Sequence, residues 1–237
     1  MLNKAKSQVL LISLLWPALF FAGDLDISNR NPDNISKALR PVLSFLSIRQ
    51  QLPMSNLLYS KNPGMAVTLA ASGAGNYSKQ WSGIPGIWSS VLITDNLLLS
   101  AGLNNTEIGN DNAQSFGSGI STSWGKDSTE NYISLGMNFL RGPDDFYCQN
   151  INLSIQKKII ITGWVLMAGF TKHYNLVNIN VKDSVNPEDN FSAQKSIQHN
   201  HFRAGVYKKF EQFACGLEST ISSKVVGLTF CISGYLP

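Results

Sequence analysis

The chain has 237 residues, of which 43% are hydrophobic and only 14% charged, with a formal net charge of +4. Charge this sparse falls well below the quarter usual for soluble proteins, and the cations are spread out rather than clustered with aromatics, which argues against a nucleic-acid surface. The apolar run at the amino terminus is shorter than a spanning helix and no second run approaches that length, which argues against a helical membrane bundle.

At that terminus, Lys4 and Lys6 precede an apolar stretch from Val9 to Ala22, interrupted by Ser13 and Pro17 and followed by Gly23, Asp24 and Asp26. A basic region, a short apolar core and small residues make residues 1–22 a secretory signal peptide. Phe20 sits where a small residue is preferred, so an uncleaved anchor is the alternative. No cysteine follows the apolar core, which argues against a lipoprotein.

Residues 23–61 form a polar lead. Asn29, Asn31, Pro32, Asp33 and Asn34 are turn formers. Ile35 to Arg49 carries Leu39, Val42, Leu43 and Leu46 at helical spacing, which predicts a short helix against the resistance of Pro41. Such a segment can plug or cap a barrel, lie in the periplasm or remain a loosely packed tail.

From residue 62 to 237 the dominant period is two. Met65, Val67, Leu69 and Ala71 alternate with Ala66, Thr68, Ala70 and Ser72; Ile87–Ile93 and Leu97–Leu103 are joined by Thr94-Asp95-Asn96, a hairpin signal. Phe116, Ile120 and Trp124 oppose Gly117, Gly119, Ser121 and Ser123. Ile133, Leu135, Met137 and Phe139 oppose Ser134, Gly136 and Asn138. Ile151, Leu153 and Ile155 oppose Asn152, Ser154 and Gln156, and Val226, Leu228, Phe230 and Ile232 oppose Gly227, Thr229, Cys231 and Ser233. One face is apolar and the other small or polar, as the wall of a membrane barrel requires. Turn-like separators fall at Gly125–Ser128, Gly142–Asp145 and Asp183–Asn190.

The expected fold is therefore all-β: an antiparallel transmembrane β-barrel of about 10 strands, with 8–12 as the range, each about 9–11 residues long. Trp88, Tyr132, Tyr147, Trp164 and Tyr174 suit interfacial girdles. Ile159 to Phe170 is almost wholly apolar; its β-branched start favours a strand with apolar residues on both faces, covered inside by the amino-terminal segment, over a buried helix. On this reading Leu135→Arg, on the lipid face, is costly and Ser134→Arg, on the lumen face, is better tolerated.

No catalytic, cofactor or metal site is expected. His199 and His201 share a strand face, but no Cys or carboxylate stands at useful spacing, and a solvated loop is the favoured reading. Cys215 and Cys231 either pair, leaving Cys148 free, or are small lipid-facing or lumen residues. Asp144-Asp145 and Glu188-Asp189 read as surface loops, and Gly73-Ala74-Gly75 lacks the context of a phosphate loop.

The stretch Asn62-Pro63-Gly64-Met65-Ala66, then Tyr77 with Gln80-Trp81 and Gly83-Ile84-Pro85-Gly86, resembles the opening of the PorP/SprF family, outer-membrane proteins associated with the type IX secretion system. The resemblance extends through Ile108-Gly109-Asn110-Asp111, the strand Phe116–Trp124 and His201–Tyr207, roughly residues 52 to 210. It implies a non-enzymatic barrel in the bacterial outer membrane that assists secretion or surface retention of cargo such as adhesins. Its partners would be outer-membrane lipid, type IX components, a periplasmic peptidoglycan-linked protein and the cargo itself. Asn62, Pro63, Tyr77, Gln80, Trp81, Gly83, Pro85 and Gly86 would be its structural or partner-binding motif, with Gln80–Gly86 an ordered turn between the first two strands. The alternatives are a general small pore or structural barrel, and a soluble exported β-sandwich binding module.

Overall fold

The computed structural model describes residues 43–44, 46–48, 50–59, 64–75, 80–82, 86–108, 111–126, 128–141, 146–181, 191–223 and 225–236. Eleven strand segments form one antiparallel sheet: β1 (Met65–Gly75), β2 (Gln80–Ser82), β3 (Gly86–Thr94), β4 (Leu97–Ile108), β5 (Asp111–Lys126), β6 (Thr129–Arg141), β7 (Phe146–Ile161), β8 (Trp164–Val181), β9 (Phe191–Lys209), β10 (Phe213–Ile221) and β11 (Val226–Leu236). β2 and β3 lie one after the other along the same side of β1, at Gly73–Gly75 and Met65–Ala70, so they occupy one place in the wall. β11 pairs with β1 from Met65↔Leu236 to Gly75↔Val226, which closes a barrel of ten strands. Closure leaves no open edge around the wall, the standing hazard of a β-sheet.

The pleat explains why these sequences make a membrane wall. Outward positions carry Leu69, Ile87, Leu103, Phe116, Ile120, Leu135, Leu153, Ile155, Phe170, Phe202, Leu217 and Leu228, all of them exposed. Inward positions are small or polar, and several bond across strands. Thr68 and Ser233 meet at 2.6 Å and Ser72 and Thr229 at 2.8 Å across the closing seam, while Ser121 donates to Ser134 at 2.7 Å. A one-residue slip would put the apolar belt inside and these hydroxyls in lipid, so the register is strongly specified. A soluble β-sandwich is overturned by the closed barrel and its outward apolar belt.

Connections at one end are short. Asp95-Asn96 joins β3 to β4, Thr162-Gly163 joins β7 to β8, and residues 210–212 join β9 to β10. Thr162 and Gly163 have φ of 49° and 79°, the double left-handed pair of a two-residue hairpin turn. At the other end the connections include residues 182–190. Short turns mark the periplasmic end of such barrels and longer loops the outer one; both Met65 and Leu236, where the wall begins and ends, sit on the short-turn side.

Three expectations need correction. The apolar run Ile159–Phe170 is not one strand but the close of β7, a turn at Thr162-Gly163 and the start of β8, because Gly163 supplies a left-handed position. The strands reach 16 residues in β5 and β7, 18 in β8 and 19 in β9. The β8–β9 hairpin stands beyond the belt: β9 pairs with β10 only as far as Phe202↔Ile221, and past it the outward residues Ser192, Gln194, Ser196, Gln198 and Asn200 are polar. Lastly, Trp88 and Tyr132 are no girdle residues. They point inward and are 2% and 1% exposed, whereas Tyr147, Trp164 and Tyr174 lie exposed on the outer face.

Candidate functional site

The lumen is the one place where chain, charge and burial converge. Helical residues between 43 and 50 enter it, followed by the 3-10 helix Met54–Tyr59. Leu43, Leu46, Met54 and Leu57 are almost wholly buried. The direction of travel is defined by contacts. Ser47 meets His199 of upper β9, Leu52 meets Arg203 lower on that strand, and Leu57 meets Tyr132 near the start of β6. Met54, Leu57 and Leu58 then pack with Ala66, Leu98, Tyr132, Val165, Met167, Tyr207 and Ala214, all near the short-turn end. Residues 43–58 thus run down the barrel from the loop end to the periplasmic end, where β1 begins. The expected cover over the inner face of the Ile159–Phe170 run is this helix against Val165 and Met167.

Two buried ion pairs hold the segment in place. Arg203 donates to Glu218 at 2.6 Å and to the Leu52 carbonyl at 3.1 Å. Glu218 also accepts from the Ser55 amide at 3.4 Å and from the Cys231 thiol at 3.3 Å. Lower down, Lys158 pairs with Glu130, and the Tyr132 hydroxyl reaches both Glu130 and the Leu57 carbonyl. Each charge leaves water only because a counter-charge and further hydrogen bonds await it.

Packing fills what remains. Trp88 lies across the small inward residues of β4 and β5, where a Cβ on Gly102 or Gly117 would overlap its indole. A central cavity lined by Gln50, Gln51, Trp88, Ser134, Asn152 and Arg203 measures about 20 Å³. A water needs about 10–15 Å³ on this measure, so this cavity has room for one or so. This reverses the expectation for Ser134→Arg: Ser134 is 6% exposed, bonded to Ser121 and faces a cavity far too small for a guanidinium.

Near the loop end the three histidines of the chain meet. His173 and His199 form a direct cross-strand pair, and His201 follows on the same face of β9. Ring centroids lie 5.2 Å apart for His173–His199, 4.6 Å for His173–His201 and 4.9 Å for His199–His201. His173 and His201 are fully buried and His199 partly so, which corrects the solvated-loop reading. Asn150 and Asn175 contact Nδ1 of His173 and His199 at 3.2 and 3.3 Å, and His199 Nε2 lies 2.8 Å from Ser47 Oγ. His173 stacks on His199 while His201 is tilted to both, and among the described residues no group of His, Cys, Asp or Glu stands as arranged to hold a metal ion.

The motif residues fare unevenly. Gln80-Trp81-Ser82 is not part of a turn but the short strand β2, because its backbone finds partners on Gly73–Gly75. Gly86 opens β3 opposite Ala70, where a Cβ would overlap the Asn104 side chain. Asn62, Pro63, Tyr77, Gly83 and Pro85 lie outside the described residues, as do Asp144-Asp145 and Glu188-Asp189. Cys148 and Cys231 are buried and Cys215 partly exposed, all three as free thiols. Cys215 and Cys231 lie on opposite faces of adjacent strands, paired with Ile232 and Gly216, so they do not join.

No family model matches the chain and no curated protein matches it. Among solved structures it is similar to the translocator domain of autotransporter NalP from Neisseria meningitidis, with a TM-score of 0.54 and 11% identity over 85% of this chain and 98% of that one. The outer membrane protease OmpT from Escherichia coli gives 0.41 and 8% over 73% and 95%, and the KdgM porin 0.40 and 9% over 72% and 99%. At such identities the likeness is one of fold. With the apolar belt, it makes this chain a bacterial outer-membrane β-barrel.

Proposed function

We propose that this chain is a closed, non-enzymatic outer-membrane barrel that carries its own amino-terminal segment down the lumen and presents the mature polypeptide ahead of Leu43 on the outer surface. The observation behind this reading is the direction of residues 43–58, which enter at the loop end and leave at the periplasmic end. An open diffusion pore is disfavoured by a central cavity of about 20 Å³. The buried charges nearest the segment are spent on holding it rather than left facing a substrate space. An epitope inserted after Arg30 tests the proposal in intact cells. Antibody should label it without permeabilisation. Labelling only after the outer membrane is opened would overturn it.

A narrower role, assisting secretion or surface retention of cargo alongside type IX components, draws support from the motif resemblance alone. Trp81→Ala separates the cases. If the motif serves a partner, barrel abundance holds while cargo is released or stalled; if it serves only the wall, the two fall together. Normal cargo handling with both Trp81 and Pro85 replaced would remove the case for this role.

A further inference from the structure

We propose that His173, His199 and His201 form a binding site for a borderline divalent transition-metal ion, with Zn²⁺ as the type species, set in the lumen wall beside the plugging segment. The strand pleat supplies the frame. His199 and His201, two residues apart, project from one face of β9, and His173 stands directly across from His199 on β8. Three imidazoles from adjacent strands facing one side offer a facial set of ligands and leave further positions open, the pattern of a three-histidine zinc centre.

The spacing fits. With a metal–nitrogen bond of about 2.0–2.1 Å and roughly 1.1 Å more to the ring centre, two imidazoles at a tetrahedral angle have centroids about 5 Å apart. The three separations here are 4.6, 4.9 and 5.2 Å. The ring centres already stand where a metal would hold them; converging the nitrogens requires the rings to turn out of their stack rather than the strands to move.

The hydrogen bonds leave nitrogens of His173 and His201 open, while both nitrogens of His199 have partners that an ion would replace at one of them. Nδ1 of His173 and of His199 each rest against an asparagine amide. Asn150 Oδ1, 3.4 Å from His173 Nδ1, can accept from an Nδ1–H and leave Nε2 of His173 to ligate, whereas Asn175 turns its Nδ2 to His199 Nδ1 and its Oδ1 to Asn150. His173 Nε2 and both nitrogens of His201 are buried with no hydrogen-bond partner among the described residues. Three unpartnered ring nitrogens in one buried cluster are costly unless something binds there. His199 Nε2 points at Ser47 Oγ, which places a hydroxyl of the plugging segment beside the ion. The neighbouring Arg203 has its charge matched by Glu218. With neutral nitrogen ligands and no carboxylate in the set, the site favours Zn²⁺, Ni²⁺ or Cu²⁺ over Ca²⁺ or Mg²⁺.

The test uses the full chain without a histidine tag, folded in detergent, stripped with chelator and titrated with ZnCl₂ alone, then with CoCl₂ for its ligand-field spectrum. One ion per chain is expected, with intense bands of low-coordinate Co²⁺. His173→Gln, His199→Gln and His201→Gln should each weaken binding at least about tenfold, while the metal-free variants keep the wild-type heat-modifiable band. Retention of wild-type affinity in the triple variant, or no ion bound by the wild type, would overturn the proposal. Should the variants fail to fold, X-ray absorption of the zinc-loaded wild type decides. Three imidazoles support the site, and a shell containing sulfur refutes it.

Discussion

Arg203→Met tests whether the buried charges hold the plugging segment. In the native chain the Arg203 guanidinium neutralises Glu218 and donates to the Leu52 carbonyl, and Glu218 in turn accepts from the Ser55 amide. Both side chains are at most 3% exposed. Removing the cation strands a carboxylate in the lumen, a loss of about 3–5 kcal/mol, to which the orphaned Leu52 carbonyl adds about 1 kcal/mol. Arg203→Met with Glu218→Leu removes the stranded charge and leaves the Leu52 carbonyl, the Ser55 amide and the Cys231 thiol without these partners, about 1 kcal/mol each and about 3 kcal/mol in all. The double variant should therefore be more stable than the single one by about 1–3 kcal/mol. Urea unfolding in lipid vesicles, followed by tryptophan fluorescence, measures both. If the single substitution costs under about 1 kcal/mol, or the double costs more than the single, the pair is not the latch described here.

Leu135→Arg places a charge on the lipid face and should cost about 2–4 kcal/mol, and Ser134→Arg should be no milder, since it points into a cavity too small to take it; normal heat-modifiability of Ser134→Arg would contradict the closed lumen. Trp88→Ala should cost about 3–5 kcal/mol by leaving a cavity over Gly102 and Gly117, read as a lowered urea midpoint. Gly102→Leu should fail to yield folded barrel because its side chain collides with the same indole, and refolding yield checks this. Tyr132→Phe, which removes the one hydroxyl proton offered to Glu130 and the Leu57 carbonyl, should cost about 1–3 kcal/mol in the same unfolding assay.

Much of the wall was legible because a barrel strand declares both faces in its alternation. The outward stripes Phe116/Ile120/Trp124 and Ile133/Leu135/Met137, and the seam strand Val226–Ile232, follow the period of two. The same parity places Tyr132 inside with Ser134, Gly136 and Asn138, a signal hidden by the habit of assigning aromatics to the membrane interface. The histidine cluster was half legible. His199 and His201 share a face by spacing, but His173 joins them only through the β8–β9 register, set across a loop whose length fixes no pairing. The plugging segment was harder still. Leu43 and Leu46 show helical spacing, but nothing local says that Ser47, Leu52, Ser55 and Leu57 find partners more than 70 residues away.

The central claim, a barrel closed by its own chain, is tested most directly by conductance. The purified full chain is inserted into a planar lipid bilayer, and its current is compared with that of a chain lacking residues 43–58. The full chain should show no steady conductance, and the shortened chain should conduct continuously wherever it inserts. A steady open current from the full chain would contradict the closed lumen.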